Sequence, residues 1–373
     1  MTPSPKVVPP EEKGGLFAGW NRFWFAPTDA FGLHLVRVAT GVLLLAWLLP
    51  LAGQVEPLFG LQGWFDHQAF VEARRLDPMS VPKPIARDNW SLLYLAGKSG
   101  AALQAMYWGS IAVLALFTLG IATRLTAPAA WVVVVSFTAT PLFDEEVDPV
   151  LHMLTLYLAV GYLLLGQWSW RQSLFGRLFG SSDGMLFSRL LRKAPPAPPS
   201  VGANLALRLL QVHFAVLVVT TGLTKLQIGE WWSGVPHWYN IFSPMTATME
   251  RIRQVAPDPP WFFAQLNVLA YATLAWQIFF PTFAWRGGWC RLLLLGGAVA
   301  GWLGLALLYK LPLFGPAFAI GCMAYISGRE WGLLGQALQR VSPLRRLGEV
   351  LPDVPDPTWS ASRAGSLQAT RER

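Results

Sequence analysis

Phe214-Ala-Val-Leu-Val-Val-Thr220-Thr-Gly-Leu-Thr-Lys225-Leu-Gln-Ile-Gly-Glu-Trp231-Trp-Ser-Gly234 is the stretch that decides the fold. It closes an apolar run that begins near Ala203, long enough to cross ~30 Å of hydrocarbon at 1.5 Å per residue, and it ends in a lysine followed by a tryptophan pair. A lysine is costly near hydrocarbon, so Lys225 reads in two ways. Either its stem lies along the helix and its ammonium reaches the interface, or the amine is buried and available for proton transfer. The small residues Thr220, Thr221, Gly222 and Thr224 favour burial, because they let neighbouring helices approach closely. Trp231, Trp232 and Trp238 would then roof the amine; as a belt they would only mark the headgroup level.

The rest of the chain fits the same solvent. Of 373 residues, 53% are hydrophobic and 13% charged, and the mean hydropathy is +0.40, more apolar surface than one water-soluble core can hide. The reading is an all-α integral membrane protein, a polytopic bundle of about eight transmembrane helices beginning near Phe31, Leu103, Leu125, Val150, Ala203, Trp261, Leu292 and Pro312. The third and eighth are the weakest, short or broken by proline, and either could be re-entrant. Met1 to Phe25 reads as a cytoplasmic N-terminal segment without a cleavable signal. The membrane domain covers 26–328, an amphipathic cytoplasmic helix 329–350 with Trp331, Leu334, Leu338, Val341 and Leu344 at helical spacing, and a disordered tail 351–373. Ala194-Pro-Pro-Ala-Pro-Pro199 reads as a stiff linker between two halves of four spans.

Loop charge orients the bundle. Arg171, Arg177, Arg189, Arg192 and Lys193 belong in the cytoplasm, whereas Asp144, Glu145, Glu146 and Asp148 belong outside. Alternation then places both termini in the cytoplasm, with Lys225 and the segments from Gln54 to Gly100 and from Gln227 to Pro260 on the non-cytoplasmic side. The net charge of +8 is what cytoplasmic loops facing anionic lipid carry, so no nucleic-acid partner is expected. Two cysteines, Cys290 and Cys322, without Cys-x-x-Cys spacing imply neither a disulfide framework nor a metal site.

Ionisable groups within the spans are few. Arg37 lies two turns into the first, three residues after His34, and reads as a ligand contact or as an arginine snorkelling to the inner headgroups. Arg208 and Gln211 repeat that spacing in the fifth span. His152, just after the acidic cluster, is placed to shuttle protons on the side of Lys225, or simply to hydrogen-bond at a helix start. His213 is ~18 Å along the helix from Lys225 and cannot touch it.

Three stretches carry a resemblance: Ala26-Pro-Thr-Asp29 leading into Leu35-Val-Arg37-Val-Ala-Thr-Gly41, the acidic loop before His152, and Gly222-Leu-Thr-Lys225-Leu226 with Trp232, Gly234 and Phe242-Ser-Pro244. Over about Ala26 to Ser327 the chain resembles the membrane domain of vitamin K-dependent gamma-carboxylase and its bacterial relatives, the HTTM (horizontally transferred transmembrane) family. The resemblance implies that Lys225 is a base toward a lipid-soluble quinol, that oxygen converts the quinol anion into a strong base, and that a carboxylase-like lyase or quinol-oxidising activity follows. Lys225 and His152 are the catalytic candidates; Trp231, Trp232 and Arg37 are those for binding a membrane quinone or quinol. The chain departs from the carboxylase in lacking any histidine after His237, in Arg171 where many relatives are acidic, and in ending at Arg373 with no large extramembrane domain expected. The other reading from the residues is a non-catalytic membrane scaffold, a helical bundle binding an unspecified protein partner, with Lys225 as an interfacial anchor.

Overall fold

The computed structural model describes residues 15–64, 91–96, 99–139, 148–165, 199–241, 248–255 and 259–340. Among them no strand occurs, only a single bridge in which Thr28 and Ser200 exchange backbone hydrogen bonds of 2.9 and 3.2 Å. The longer helices are α1 (Leu16–Phe25), α2 (Phe31–Leu48), α3 (Gly100–Leu119), α4 (Thr123–Thr138), α5 (Asp148–Leu164), α6 (Val201–Lys225), α7 (Pro259–Phe283), α8 (Trp289–Leu308), α9 (Phe314–Met323) and α10 (Gly328–Gln339). Local chemistry sets their ends. The side chains of Ser99 and Ser200 cap α3 and α6 by accepting from the third residue along, and α3 stops at Gly120, whose φ of 81° suits a residue without Cβ.

Eight helices, α2 to α9, begin close to the eight expected starts. Five stretches are long and apolar enough to cross a bilayer: Phe31–Leu51, Gly100–Leu119, Val201–Lys225, Pro260–Phe283 and Trp289–Leu307. The chain is thus an all-helical, multi-pass membrane protein. The others, α4, α5 and α9, have 16, 17 and 10 residues and sit behind longer neighbours.

Each of these helices packs on the next, from α2 through to α9, and α9 closes the circuit against α2. Lipid gives no hydrophobic drive for helix association, so close contact and internal hydrogen bonds must hold the circuit together. Gly41 provides the closest approach of α2 to α3: a Cβ there would collide with Thr118 Oγ1 and stand only 3.1 Å from its Cα. Arg37, wholly buried one turn before it, donates from Nη1 to the carbonyls of Phe117 and Thr118 and lies 5.6 Å from the Tyr162 ring centroid. It does not snorkel; it satisfies the last carbonyls of α3 and links α2, α3 and α5. Gln211 ties α6 to α7 and α9: its amide nitrogen donates to Ala324 O (2.8 Å), its Oε1 accepts from Trp285 (3.0 Å) and Arg208 (2.8 Å), and its carbonyl accepts from the Tyr325 hydroxyl.

The helix expected over 329–350 is α10 as far as Gln339, opened by a reciprocal cap in which Ser327 N donates to Glu330 Oε2 (2.8 Å) and Glu330 N to Ser327 Oγ (3.3 Å). Glu330 also pairs with Arg291 at 2.8 Å, fastening α10 to the start of α8. Val341 and Leu344, the tail, the N-terminal fourteen residues, the acidic residues Asp144 to Glu146, the arginine-rich connection, most of the proline linker and the Phe242-Ser-Pro244 stretch lie outside the described residues.

Two outcomes follow. Gly41→Ala should lower stability in detergent by about 1–3 kcal/mol through overpacking, and Thr118→Gly on that background should recover part of the loss in a thermal melt. Burial alone would raise the Glu330 carboxyl, but the hydrogen bonds from Arg291 and Ser327 outweigh it and hold the group below its ordinary value of 4.5. Its folded pKa is therefore depressed, so its contribution is present above about pH 4.5 and is lost as pH falls through the folded value. Glu330→Gln should cost about 1 kcal/mol at pH 7, the partly exposed pair being screened in part, and the difference from the parent should shrink when melts are repeated below pH 4.

Candidate functional site

Lys225 is the last residue of α6, and what faces it is α7. Gly222 brings the two helices together, with only 3.0 Å from a would-be Cβ to the Cβ of Gln277. One turn on, Lys225 Nζ donates to Gln277 Oε1 at 2.9 Å and stands 4.7 Å from the Trp231 ring centroid. Both contacts are favourable to an ammonium, one through an amide dipole and one through the ring face. Gln277 is ~27 Å along the axis from Pro259 and only ~9 Å from Phe283. The amine thus meets α7 within its apolar length, nearer the C-terminal end of that helix.

The chain after Lys225 folds back beside the other half of α7. Trp238 donates to Asn267 (3.0 Å) and its ring lies 4.2 Å from Phe263, while the Tyr271 hydroxyl donates to Trp232 O (2.8 Å). The fold-back walls off a cavity of about 1070 Å³ between α6, α7 and α8, large enough for a drug-sized or larger ligand. Packing between α7 and α8 is looser than along most of the circuit, and this is where the space lies. Lys225, Glu230, Trp231, His237, Gln277 and Tyr309 make one polar end; Trp276, Phe279, Phe283, Leu293 and Phe318 line most of the remainder, with Thr273, Thr282 and Arg286 among them. On α8 the wall is Gly297, Gly301 and Gly304, one helical face, where a Cβ on Gly301 or Gly304 would meet nothing and one on Gly297 would collide with Trp276. From Gly297 to Tyr309 the α8 wall runs ~18 Å.

His237 packs edge-on to Trp231, ring centroids 5.6 Å apart, on a short helix from Pro236 to Ile241. Its Nδ1 is 2.8 Å from the Tyr309 hydroxyl, which joins the fold-back to the end of α8. Burial, and secondarily the charge of Lys225, hold its imidazole below the ordinary value, so the ring is neutral at pH 7.

Of the residues singled out from sequence, Lys225 and Trp231 come together here, with Trp231 only 7% exposed. Trp232 is 65% exposed, donates to Leu226 O and does not line the cavity. Arg37 is absent from the lining and belongs to the α2–α3 contact described above. His152 Nε2 lies 2.6 Å from Thr138 Oγ1, between α4 and α5, and His213 Nδ1 lies 3.0 Å from the Tyr157 hydroxyl; neither lines the cavity. Sequence reasoning missed His237, Gln277 and Tyr309. His237 was findable, since it lies in the same outward segment as Trp231; Gln277, in the middle of an apolar run, was a second signal, a polar residue that a membrane helix retains at a cost. Among the described residues no group of His, Cys, Asp and Glu could hold a metal ion.

Comparison with protein-family models, with curated proteins and with solved structures finds no match.

The glycine wall makes a direct test. Gly301→Leu and Gly304→Leu should leave the melting temperature in detergent unchanged or slightly raised, because replacing a mid-helix glycine gains ~0.5–1 kcal/mol of helix propensity, while occupying the cavity. Gly297→Leu should destabilise instead, through Trp276. Differential scanning of the three variants, with mass spectrometry of co-purified lipid-soluble compounds, checks both halves: retention should drop for Gly301→Leu and Gly304→Leu without loss of fold.

Proposed function

We propose that this chain is a multi-pass membrane enzyme in which Lys225 exchanges a proton with a lipid-soluble quinol held between α6, α7 and α8. The observation that carries the reading is the position of one amine at the polar end of a long apolar cavity, bonded to Gln277 and seated on Trp231. A ring bearing hydroxyls at one end and a hydrocarbon tail at the other matches that division of the walls. A neutral amine takes the quinol proton as a general base; the resulting ammonium, held by Gln277 and Trp231, then stabilises the quinol anion beside it. The oxidant that the HTTM resemblance implies is molecular oxygen, and the same resemblance supports kinship with the membrane domain of vitamin K-dependent gamma-carboxylase.

The finer topology belongs to this proposal. Helices α4, α5 and α9 complete eight membrane segments, the termini are cytoplasmic, and the cavity's polar end faces the non-cytoplasmic side, as the loop charges imply. The proton relay expected of His152 has no part in it, because that ring is engaged with Thr138 away from the cavity. The scaffold reading needs Nζ to reach water or headgroups as an anchor; a half-buried amine bonded to Gln277 argues against it.

The experiment is purification in detergent, identification of bound quinone, and quinol oxidation by the parent, Lys225→Ala and Lys225→Arg. Turnover should fall by about 10²-fold or more in both variants, since guanidinium stays charged and cannot accept the proton. Parent-like turnover in Lys225→Ala would end the catalytic assignment.

A further inference from the structure

His237 is 4% exposed, lines the cavity beside Lys225, and uses only one of its two ring nitrogens within the fold. Nδ1 meets the Tyr309 hydroxyl; Nε2 is buried with no hydrogen-bond partner among the described residues. A buried imidazole nitrogen left unpaired forfeits its hydration, which a folded protein ordinarily offsets by giving it a partner. The Tyr309 bond accounts for Nδ1 but not for Nε2, which nothing among the described residues meets. The explanation that the site offers is a bound molecule.

We infer that His237 Nε2 is the second polar contact for the ligand's head, so that the cavity selects an oxygen-bearing aromatic ring by gripping it from the two sides of Trp231. This rests on the reading of the cavity as a quinol site and adds what orients the ring there. Lys225 lies over the Trp231 ring and His237 stands nearly perpendicular to that ring with centroids 5.6 Å apart, so both polar groups flank one indole at the cavity's polar end while the glycine face of α8 is left for a substituent. Tyr309 sets the sense of the bond. When Nδ1–H donates to the Tyr309 oxygen, Nε2 offers a lone pair to a quinol hydroxyl; when the tyrosine hydroxyl donates to Nδ1, Nε2–H is offered to a quinone carbonyl. The same dyad therefore accommodates both redox forms by exchanging its tautomer. A ring whose oxygens are both methylated retains two weak acceptors and offers no proton, and it is the ligand this arrangement discriminates against.

Two variants separate ligand contact from structural support. His237→Asn keeps a polar atom where Nδ1 faces Tyr309 and removes the group at Nε2; His237→Gln reaches the Nε2 position and gives up the Tyr309 contact. Equilibrium dialysis of the purified full chain would use three probes: a tail-bearing naphthoquinol, its dimethyl ether, and a 4-alkylphenol with a single hydroxyl. The expected result is a loss of naphthoquinol and alkylphenol affinity of about 10-fold in His237→Asn, with His237→Gln within about 3-fold of the parent and the dimethyl ether weak throughout. The inference is overturned if His237→Asn binds as the parent does, or if His237→Gln is the weaker of the two, which would mark a role through Tyr309 alone. Running Lys225→Ala in parallel keeps the two claims apart. Alkylphenol binding that depends on His237, with quinol turnover indifferent to Lys225, sinks the proton-transfer reading and leaves this contact standing; turnover that needs Lys225, with binding indifferent to His237, does the reverse. A parent that binds none of the probes sinks both.

Discussion

In hydrocarbon no water is available to satisfy a buried polar group, and this constraint organises the bundle more than apolar contact does. Gln211 shows it most fully. One side chain and its own carbonyl serve Arg208, Trp285, Ala324 and Tyr325, closing α6, α7 and α9 at one level. Arg37 does the equivalent at the other side of the circuit, adding side-chain hydrogen bonds to the Phe117 and Thr118 carbonyls that end α3. An arginine buried without such partners would be prohibitively costly; with them it becomes a three-helix joint.

These joints leave α7 and α8 comparatively free of each other near Lys225. Beside the cavity, rings from α6, α7 and α9 pack together: Phe214 lies 5.0 Å from Phe318 and 5.7 Å from Phe280, and Trp276 lies 5.0 Å from Phe280. On α8 glycines replace rings, and the backbone there has no side chain to reach across. The cavity is the region where the packing changes from aromatic to glycine. The fold-back carrying Trp231 and His237 borders it and partly shields an amine that stands at a helix end.

The fold class was legible because length and composition leave few alternatives: runs such as Ala203 to Thr224 can only be satisfied as helices in lipid. Helix starts were legible for the same reason, down to the short α9. Depth was not. Loop charges suggest a side for each helix end but say nothing about how far one helix slides along another, and it is the Gly222–Gln277 contact that puts the end of α6 opposite the last third of α7. Arg37 misled for a related reason: its two possible roles differ only in whether α3 ends beside it, which no single helix reveals. Trp231 and Trp232 are adjacent and chemically alike, and only the local turn decides that one is buried under Lys225 while the other faces outward. Gln277 and Tyr309 became meaningful only as partners across helices.

That displacement of Lys225 along α7 bears on the chemistry. A cation at the C-terminus of α6 is favoured by the helix dipole, and the Gln277 oxygen and the Trp231 face add to that preference. Low dielectric around the cavity opposes it. A proton-transfer group is most useful when such effects nearly cancel, because neither form is then locked in place. His237, held neutral by burial and by the neighbouring charge, keeps a second ammonium-like group from forming beside the first. In the proposed site a quinol anion would meet one cation, Lys225, and one neutral hydrogen-bonding group, His237. In that proposal the oxygen facing Lys225 is the one that loses its proton.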